Sequence, residues 1–286
     1  MTDAPQPRTR QRLIGYWWAP VVLVAVALAV VAYLRPYQPL GLSELTPKVV
    51  SSAATLDKGF GERVSRSFKY ATRRSYSSPS GVTEVEIRAT LEPLENGLVV
   101  RQDDWYDIRS NTVVYQERYV LFRNLFSVHT RSREVAPLVH DLMGRVGWYN
   151  DSARSMESQL QGDTPGAPAW KLDLTMARVS DTDGKGLTLQ STNYQRKLHC
   201  ERSGDIDAAE VGAVDKGSYP RISCVNTASD QPAERRSEYV WLPQHGIFLL
   251  LGYRQKGENM TAPADTPGEL AVKSRYVKFE VQPPED

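Results

Sequence analysis

Apolar and polar residues alternate along most of the chain after residue 62, in contrast to the continuous apolar run near its start. In residues 84–92 and 171–177 every second residue is apolar, and the same period returns in later segments. A two-residue period is typical of a half-buried strand. About nine or ten such strands, joined mainly by turns, predict an antiparallel sheet.

Two short segments predict hairpin turns. Asn96-Gly97 supplies the pair of residues that tolerates positive φ, as a tight turn requires. Residues 181–186 also resemble the start of a calcium loop, but Lys185 and Thr192 stand where oxygen ligands belong. We therefore interpret 181–186 as a turn between two strands.

One segment follows a helical period. Val135, Leu138, Leu142 and Val146 recur at helical spacing within residues 134–149. A single amphipathic helix among antiparallel strands has to bury its apolar stripe, either as a plug in the concave face of the sheet or as a lid. The predicted fold is thus mainly β: an antiparallel sheet or half-barrel with one packed amphipathic helix.

Residues 13–34 contain no charged side chain and lie between Arg12 and Arg35. At about 1.5 Å per residue a helix of this length spans roughly 33 Å, close to the ~30 Å hydrocarbon core of a bilayer. We interpret it as a transmembrane helix; a cleaved signal peptide or a buried helix fits its length and uniform apolarity less well. Aromatic residues near its ends are expected at the membrane interfaces: Tyr16, Trp17, Trp18 and Tyr33.

The run divides the chain into a cytoplasmic tail (1–12), a transmembrane helix (13–34), a stalk (35–61) and an exported β-rich domain (62–286). Prolines and glycines interrupt 35–61 and favour a tether. Apolar residues at near-helical spacing leave a short packed helix open as the alternative. Arginines before the run slightly favour a cytoplasmic N-terminus, which predicts a single-pass inner-membrane protein with its C-terminal domain in the periplasm or another extracytoplasmic space.

The chain has two cysteines, Cys200 and Cys224. An even, minimal count downstream of an export-type helix predicts one disulfide. Closing its ring would stabilise the fold by roughly 3.5 kcal/mol in the chain-entropy model. Two unrelated buried thiols are the alternative. A metal site that includes His199 is disfavoured because zinc usually takes four ligands with short cysteine spacing.

Charge and motifs narrow the function classes. The chain has 35 Lys and Arg against 34 Asp and Glu, which argues against a nucleic-acid partner. The sequence contains no nucleophile elbow, zinc-protease motif, P-loop or dinucleotide fingerprint. We therefore predict a non-enzymatic protein with no catalytic residues, cofactor or metal. Asp103 and Asp104 are expected on a solvated face.

Five aromatic residues of the β-rich part either line a binding groove or cap the core: Trp105, Tyr106, Trp148, Tyr149 and Trp170. Trp105 and Trp148, together with the stripe of the predicted helix, are the candidate residues for a groove or lid. Such residues more often cap a core.

Residues 238–248 carry a Trp, a Pro and a Gly in an order that resembles the closing hairpin of uncharacterised bacterial envelope domains, and the strand 270–281 follows. The predicted layout is similar to the half-barrel of lipoprotein and lipid carriers. These resemblances concern the fold and do not fix function. The missing catalytic motifs and the membrane anchor favour a membrane-anchored envelope binding or assembly module with another envelope protein as partner. A carrier or sensor of an apolar ligand (a lipid or acyl chain) is the alternative, and a hydrolase with an unrecognised site is the third. Asn150 and Asn259 would be glycosylation sequons in a eukaryotic secretory route.

Overall fold

The computed structural model describes residues 20–24, 40–61, 63–78, 81–134, 148–162, 164–184, 188–212, 216–229, 231–257 and 268–283. The chain forms two units, Met1–Gln38 and Pro39–Asp286. In the first unit residues 20–24 are helical. Among the described residues no helix is long and apolar enough to cross a membrane. The predicted belt residues Tyr16, Trp17, Trp18 and Tyr33 lie outside the described residues.

In the second unit, twelve antiparallel strands form a closed barrel. Each strand pairs with the next along the chain, and β12 pairs back with β1. The mainly antiparallel fold is confirmed, but the half-barrel with nine or ten strands is wrong, because pairing of the last strand with the first closes the sheet. The strands are β1 (Phe68–Ser78), β2 (Gly81–Pro93), β3 (Leu98–Asp107), β4 (Val113–Phe122), β5 (Phe126–Glu134), β6 (Trp148–Gln161), β7 (Lys171–Gly184), β8 (Thr188–Asp207), β9 (Ser218–Ala228), β10 (Gln231–Leu242), β11 (Ile247–Gly257) and β12 (Gly268–Val281).

Helix α1 (Pro47–Asp57) packs along β6 of the barrel. Strands β5 and β6 pair only near one end, and beyond that point α1 packs against β6. The Ser52 hydroxyl donates to the carbonyl of Met156 at 2.8 Å, and the Thr46 hydroxyl donates to the carbonyl of Arg154 at 3.1 Å. These bonds satisfy two carbonyls of β6 beyond the point where its pairing with β5 has ended.

The apolar face of α1 belongs to the core of the barrel. Val49, Ala53 and Leu56 are buried, and Phe60 directly after the helix packs against four aromatic rings at centroid distances of 5.3–6.2 Å. The stalk predicted for residues 35–61 therefore needs correction: from Leu40 onward the segment packs into the domain. The short packed helix, the alternative interpretation of this segment, is the one observed.

The turn between β4 and β5 reaches β11 and divides the core. The backbone N–H of Phe248 donates to the carbonyl of Arg123, and the Asn124 side-chain amide donates to the carbonyl of Phe248. The buried Arg123 guanidinium pairs with Asp57 at 2.7 Å and also donates to the carbonyl of Gly246. Neighbouring residues of the turn and of β11 alternate between two apolar clusters, one of which contains α1. One end of the barrel is thereby filled.

Both predicted hairpins are observed, but residues 181–184 of the second predicted turn belong to β7. Asn96 and Gly97 have φ of 60° and 69° between β2 and β3. Gly184 pairs with Thr188 across the β7–β8 hairpin, and residues 185–187 lie outside the described residues.

The helix predicted for residues 134–149 has bounds that are too wide, because Glu134 ends β5 and both Trp148 and Tyr149 begin β6. The strand pairing of these ends competes with the helical period that the apolar stripe suggested. The stripe itself lies outside the described residues: Val135, Leu138, Leu142 and Val146.

The predicted disulfide is confirmed. Cys200 and Cys224 are bonded across β8 and β9, at positions that pair directly in the ladder. Their Cα atoms are 4.1 Å apart, and both residues are fully buried in the cluster that contains α1. The bond therefore staples two inward-facing positions of the barrel wall.

Candidate functional site

A polar cavity occupies the part of the barrel that the apolar clusters leave open. Its volume is about 230 Å³. Alternate residues of a strand face the same side of a sheet, and the register places polar side chains on the inward side of neighbouring strands. Charged residues from five strands line the cavity: Arg74 on β1, Arg101 on β3, Glu117 on β4, Arg196 on β8 and Arg235 on β10.

Arg101 is neutralised within the cavity wall. Its Nε lies 3.0 Å from Oδ1 of Asp103, and its Nη1 donates to the Asn124 side-chain oxygen at 2.7 Å. The guanidinium also lies over the ring of Tyr119, 4.5 Å from its centroid. Burial raises the pKa of Asp103, although the positive charge of Arg101 opposes this shift. Asp103, predicted on a solvated face, is in fact buried, because Arg101 on the same face of β3 supplies its counter-charge.

Glu117 lies in a buried environment beside Trp105. The indole N–H of Trp105 donates to Glu117 Oε2 at 3.1 Å. Burial, followed by the nearby negative charge of Asp103, raises the pKa of Glu117 above its usual value. Protonation of this residue is therefore easier than for an exposed glutamate.

Three arginines of the wall lack a carboxylate partner among the described residues: Arg74, Arg196 and Arg235. The Nε of each is buried and has no hydrogen-bond partner within the described part of the chain. Arg235 stacks over the ring of Tyr253 at 3.6 Å from its centroid, and Arg74 lies 5.6 Å from that of Trp105. Aromatic faces hold these guanidinium groups in place without neutralising them.

A second buried ion pair lies beside the cavity. Arg178 donates to Asp151 at 2.8 Å, and the Tyr194 hydroxyl donates to the same carboxylate oxygen at 2.8 Å. Arg178 therefore has its own partner and leaves no carboxylate for Arg196. Burial and the positive charge of Arg178 lower the pKa of Arg196, with a smaller contribution from Arg235. The wall around Arg196 carries an excess of positive charge.

The predicted groove residues have different positions. Trp105 lines the cavity. Trp170 is fully buried in the apolar cluster around α1 and caps the core. The side chain of Trp148 lies outside the described residues, as does the stripe of the predicted helix. No three His, Cys, Asp or Glu side chains in the described ranges come together as a metal site would require.

Sequence reasoning missed the arginines of the cavity. Arg196 precedes Leu198 and Cys200 at two-residue spacing on β8, and all three face inward. Extending the two-residue alternation backward from Cys200 therefore places Arg196 on the buried face. A charged residue at the end of an apolar alternation normally marks the end of burial, which is why the sequence did not predict a buried arginine here.

Comparison with known proteins gives no relative. No protein family, curated protein or solved structure matches this chain. The resemblance of residues 238–248 to bacterial envelope domains therefore stays a prediction. What the fold and site define is a closed antiparallel barrel with one filled end and an arginine-lined internal cavity.

Proposed function

We propose that this protein is a membrane-anchored, non-enzymatic binding module of a cell envelope, and that the barrel cavity is its ligand site. The observation that carries the proposal is the cavity itself, enclosed in a barrel whose other end is filled by α1 and two apolar clusters. Ligand sites are typically concave and few per protein, with a small number of convergent polar groups. The buried Nε atoms of three arginines supply such groups.

The anchor and the location rest on the sequence and on the disulfide. Residues 13–34 have the length and apolarity of a transmembrane helix. The disulfide Cys200–Cys224 supports an oxidising compartment, since such bonds persist outside the cytosol. Together they support an inner-membrane protein whose barrel lies in the periplasm or an equivalent extracytoplasmic space.

The non-enzymatic part of the proposal rests on how the carboxylates of the cavity are engaged. Glu117 accepts the hydrogen bond from Trp105, and Asp103 is held against Arg101. A general base needs a carboxylate that is free to reach a substrate proton. The positions of these two carboxylates therefore favour binding over hydrolysis.

A docking surface for another envelope protein is the second candidate. Val82, Ile108 and Val114 are 68%, 41% and 42% exposed, and they lie near the β1–β2 and β3–β4 turns, at the same end of the barrel. Apolar side chains close together on a surface are typical of an interaction site. A lipid or acyl chain in the cavity is less favoured than either, because its apolar body would meet buried guanidinium groups.

The test is recovery of a bound small molecule from the full-length protein, purified from its native membrane in detergent and analysed by native mass spectrometry. Ser237 is buried and lines the cavity, so Ser237→Trp should fill it and abolish the bound mass. Thr227→Trp is the matched control, because Thr227 is exposed on β9 beside the cavity-lining Asn226. Asn226→Trp is the second blocking variant if Ser237→Trp does not fold.

A bound mass that both blocking variants retain would contradict the cavity as the ligand site. A protein partner that crosslinks to the wild type, and is lost when Val82 and Val114 are replaced by Lys, would instead support the docking surface.

A further inference from the structure

The geometry points to an anionic ligand: a small organic acid whose carboxylate, phosphate or sulfonate group binds to Arg196 and Arg235, with its apolar body against the aromatic wall. This inference rests on the proposed function, which makes the cavity a ligand site, and adds the chemical class of the ligand. Three independent features of the cavity carry it: its charge balance, its unused donors and its mixed lining.

The charge balance of the cavity is positive. Four arginines line it, against the carboxylate of Glu117 and that of Asp103 behind Arg101, which leaves an excess of two positive charges. A buried charge without a partner is costly, and natural proteins pair such charges. An anion would supply the missing counter-charge. The lowered pKa of Arg196, caused first by burial and then by Arg178, agrees with this excess.

The donors converge on one wall. Arg235 on β10 pairs with Asn226 on β9, and Asn226 pairs with Leu198, two residues from Arg196 on the same face of β8. The two arginines thus lie two strands apart and two residues offset along the strand, roughly 12 Å in backbone terms, which their long side chains can bridge. The Nε atoms of both are buried without a partner among the described residues. A guanidinium fork matches the paired oxygens of a carboxylate or phosphate.

The residues that line the cavity indicate the chemistry and the size of the ligand beyond its acidic group. Tyr253 and Tyr119 contribute rings to the cavity lining, and Met176, Leu198 and Leu250 contribute apolar side chains. Such a surface favours a ring or short apolar body over a purely hydrated ion. The volume of about 230 Å³ lies below the range of about 300–1,000 Å³ that holds drug-sized ligands. A small acid fits this space, whereas a lipid does not.

Thermal unfolding of the full-length protein in detergent tests the charge requirement. Benzoate and its neutral analogue benzamide are compared at constant ionic strength, and phenyl phosphate and inorganic phosphate distinguish a carboxylate from a phosphate group. A ligand that binds only the folded state raises the Tm in a saturable way. We expect saturable shifts with benzoate, phenyl phosphate or both, and none with benzamide.

Arg235→Gln and Arg196→Gln should weaken the Kd of the active probe at least tenfold. Arg236→Gln is the matched control, since Arg236 adjoins Arg235 but is exposed and paired with Glu234. A merely structural arginine would lower the Tm of the unliganded protein when replaced. Removal of an unpaired buried charge should instead leave that Tm unchanged or raise it. Arg196→Lys, which keeps the charge but not the fork, is the second variant if Arg196→Gln does not fold.

The outcomes separate this inference from the proposed function. Equal shifts with benzamide and benzoate that are lost in Ser237→Trp but kept in Arg235→Gln would overturn the anion and leave the cavity as a ligand site. The absence of any saturable shift with the three anions would also overturn it. Loss of the native bound mass in Thr227→Trp as well as Ser237→Trp would count against the cavity itself.

Discussion

Single buried charges define this barrel at the level of the residue. Arg123 is 1% exposed, yet its guanidinium pairs with Asp57 of α1, donates to Gly246 and lies over the ring of Phe60. Arg196 differs from Arg123, because the Nε of Arg196 is buried without a hydrogen-bond partner in the described part of the chain. The first arginine holds helix, turn and strand together, whereas the second is the one that the proposed anion would pair.

His129 makes the stability of the barrel depend on pH. Its Nδ1 lies 2.7 Å from the Ser152 hydroxyl, and burial, with a smaller contribution from Arg131, lowers its pKa to about 4. The unfolded chain has a histidine pKa of about 6.5 and so binds the proton first. The free energy of unfolding should therefore fall between pH 6.5 and pH 4, by about 3 kcal/mol from this residue alone.

Urea unfolding of the full-length protein at several pH values, wild type against His129→Asn, measures this contribution. Glu117 and Asp103 have raised pKa values and act in the opposite direction, stabilising the fold as pH falls. They are present in both proteins, so the difference isolates His129. An equally steep loss of stability in the variant would show that His129 is not responsible.

For single residues, the sequence predicted which side of a strand a residue occupies better than it predicted what the side chain contacts there. Alternation correctly placed Leu172, Leu174 and Met176 on a buried face. The solvated face expected for Asp103 rested on its charge alone, and alternation says which residues share a face but not what that face meets. The partner that permits burial, Arg101, lies two residues away on the same strand. Its role depends on the wall closing over it, which no local pattern records.

Helix α1 is the element on which the barrel most depends. Its near-helical apolar spacing was visible in the sequence, but prolines and glycines around it favoured a tether. Pro47 stands in the first turn, where a missing N–H costs little, and Gly59 and Gly61 follow the helix end. The proline and the glycines thus mark the two ends of the helix and do not exclude it. The apolar face of α1 is covered by β6 and by the β4–β5 turn. Both lie far from the helix in the sequence, so no local pattern records the contact.

Leu56→Ala should destabilise the domain by about 2–5 kcal/mol, because the buried side chain leaves a cavity between α1 and the strands. Thr55→Ala at the adjacent exposed position should change stability by less than about 0.5 kcal/mol. Chemical unfolding of the full-length variants in detergent compares them. Equal effects would mean that α1 does not pack as described and would restore the stalk.

The disulfide between β8 and β9 allows a second stability measurement on individual elements. Replacing both Cys200 and Cys224 by Ala should cost about 2–5 kcal/mol of unfolding free energy, since the unfolded chain is no longer restrained by the ring. The change is measured by urea unfolding without reductant. Free reaction of both thiols with a maleimide in the unreduced, denatured wild type would refute the bond.

Closure is a property of the whole molecule, and the sequence did not predict it. Every hairpin pairs strands that are neighbours in sequence, so turns and alternation suffice to predict them. The pairing of Phe68 with Val281 and of Ser77 with Ala271 joins the two ends of the domain. A half-barrel and a closed barrel have the same local patterns and differ only in this contact.

The orientation of the whole chain in the membrane has a direct test. We expect Arg8 and Arg12 in the cytoplasm and the disulfide outside, given the charge bias before residue 13 and the oxidised cysteines. A reporter that is active only in the cytoplasm should be silent when fused after Asp286. A reporter active only outside should work at the same position. Strong cytoplasmic activity would reverse the topology.

The position of α1 also sets the order in which the chain can fold. The Thr46 hydroxyl bonds to Arg154, 108 residues later, and ribosomes add about 5–20 residues per second. Roughly 5–20 s therefore pass between synthesis of the helix and synthesis of the strand that covers it. Contacts this distant in sequence form slowly. Helix α1 is thus complete well before β6 has been synthesised, and its apolar face stays uncovered by that strand during this interval.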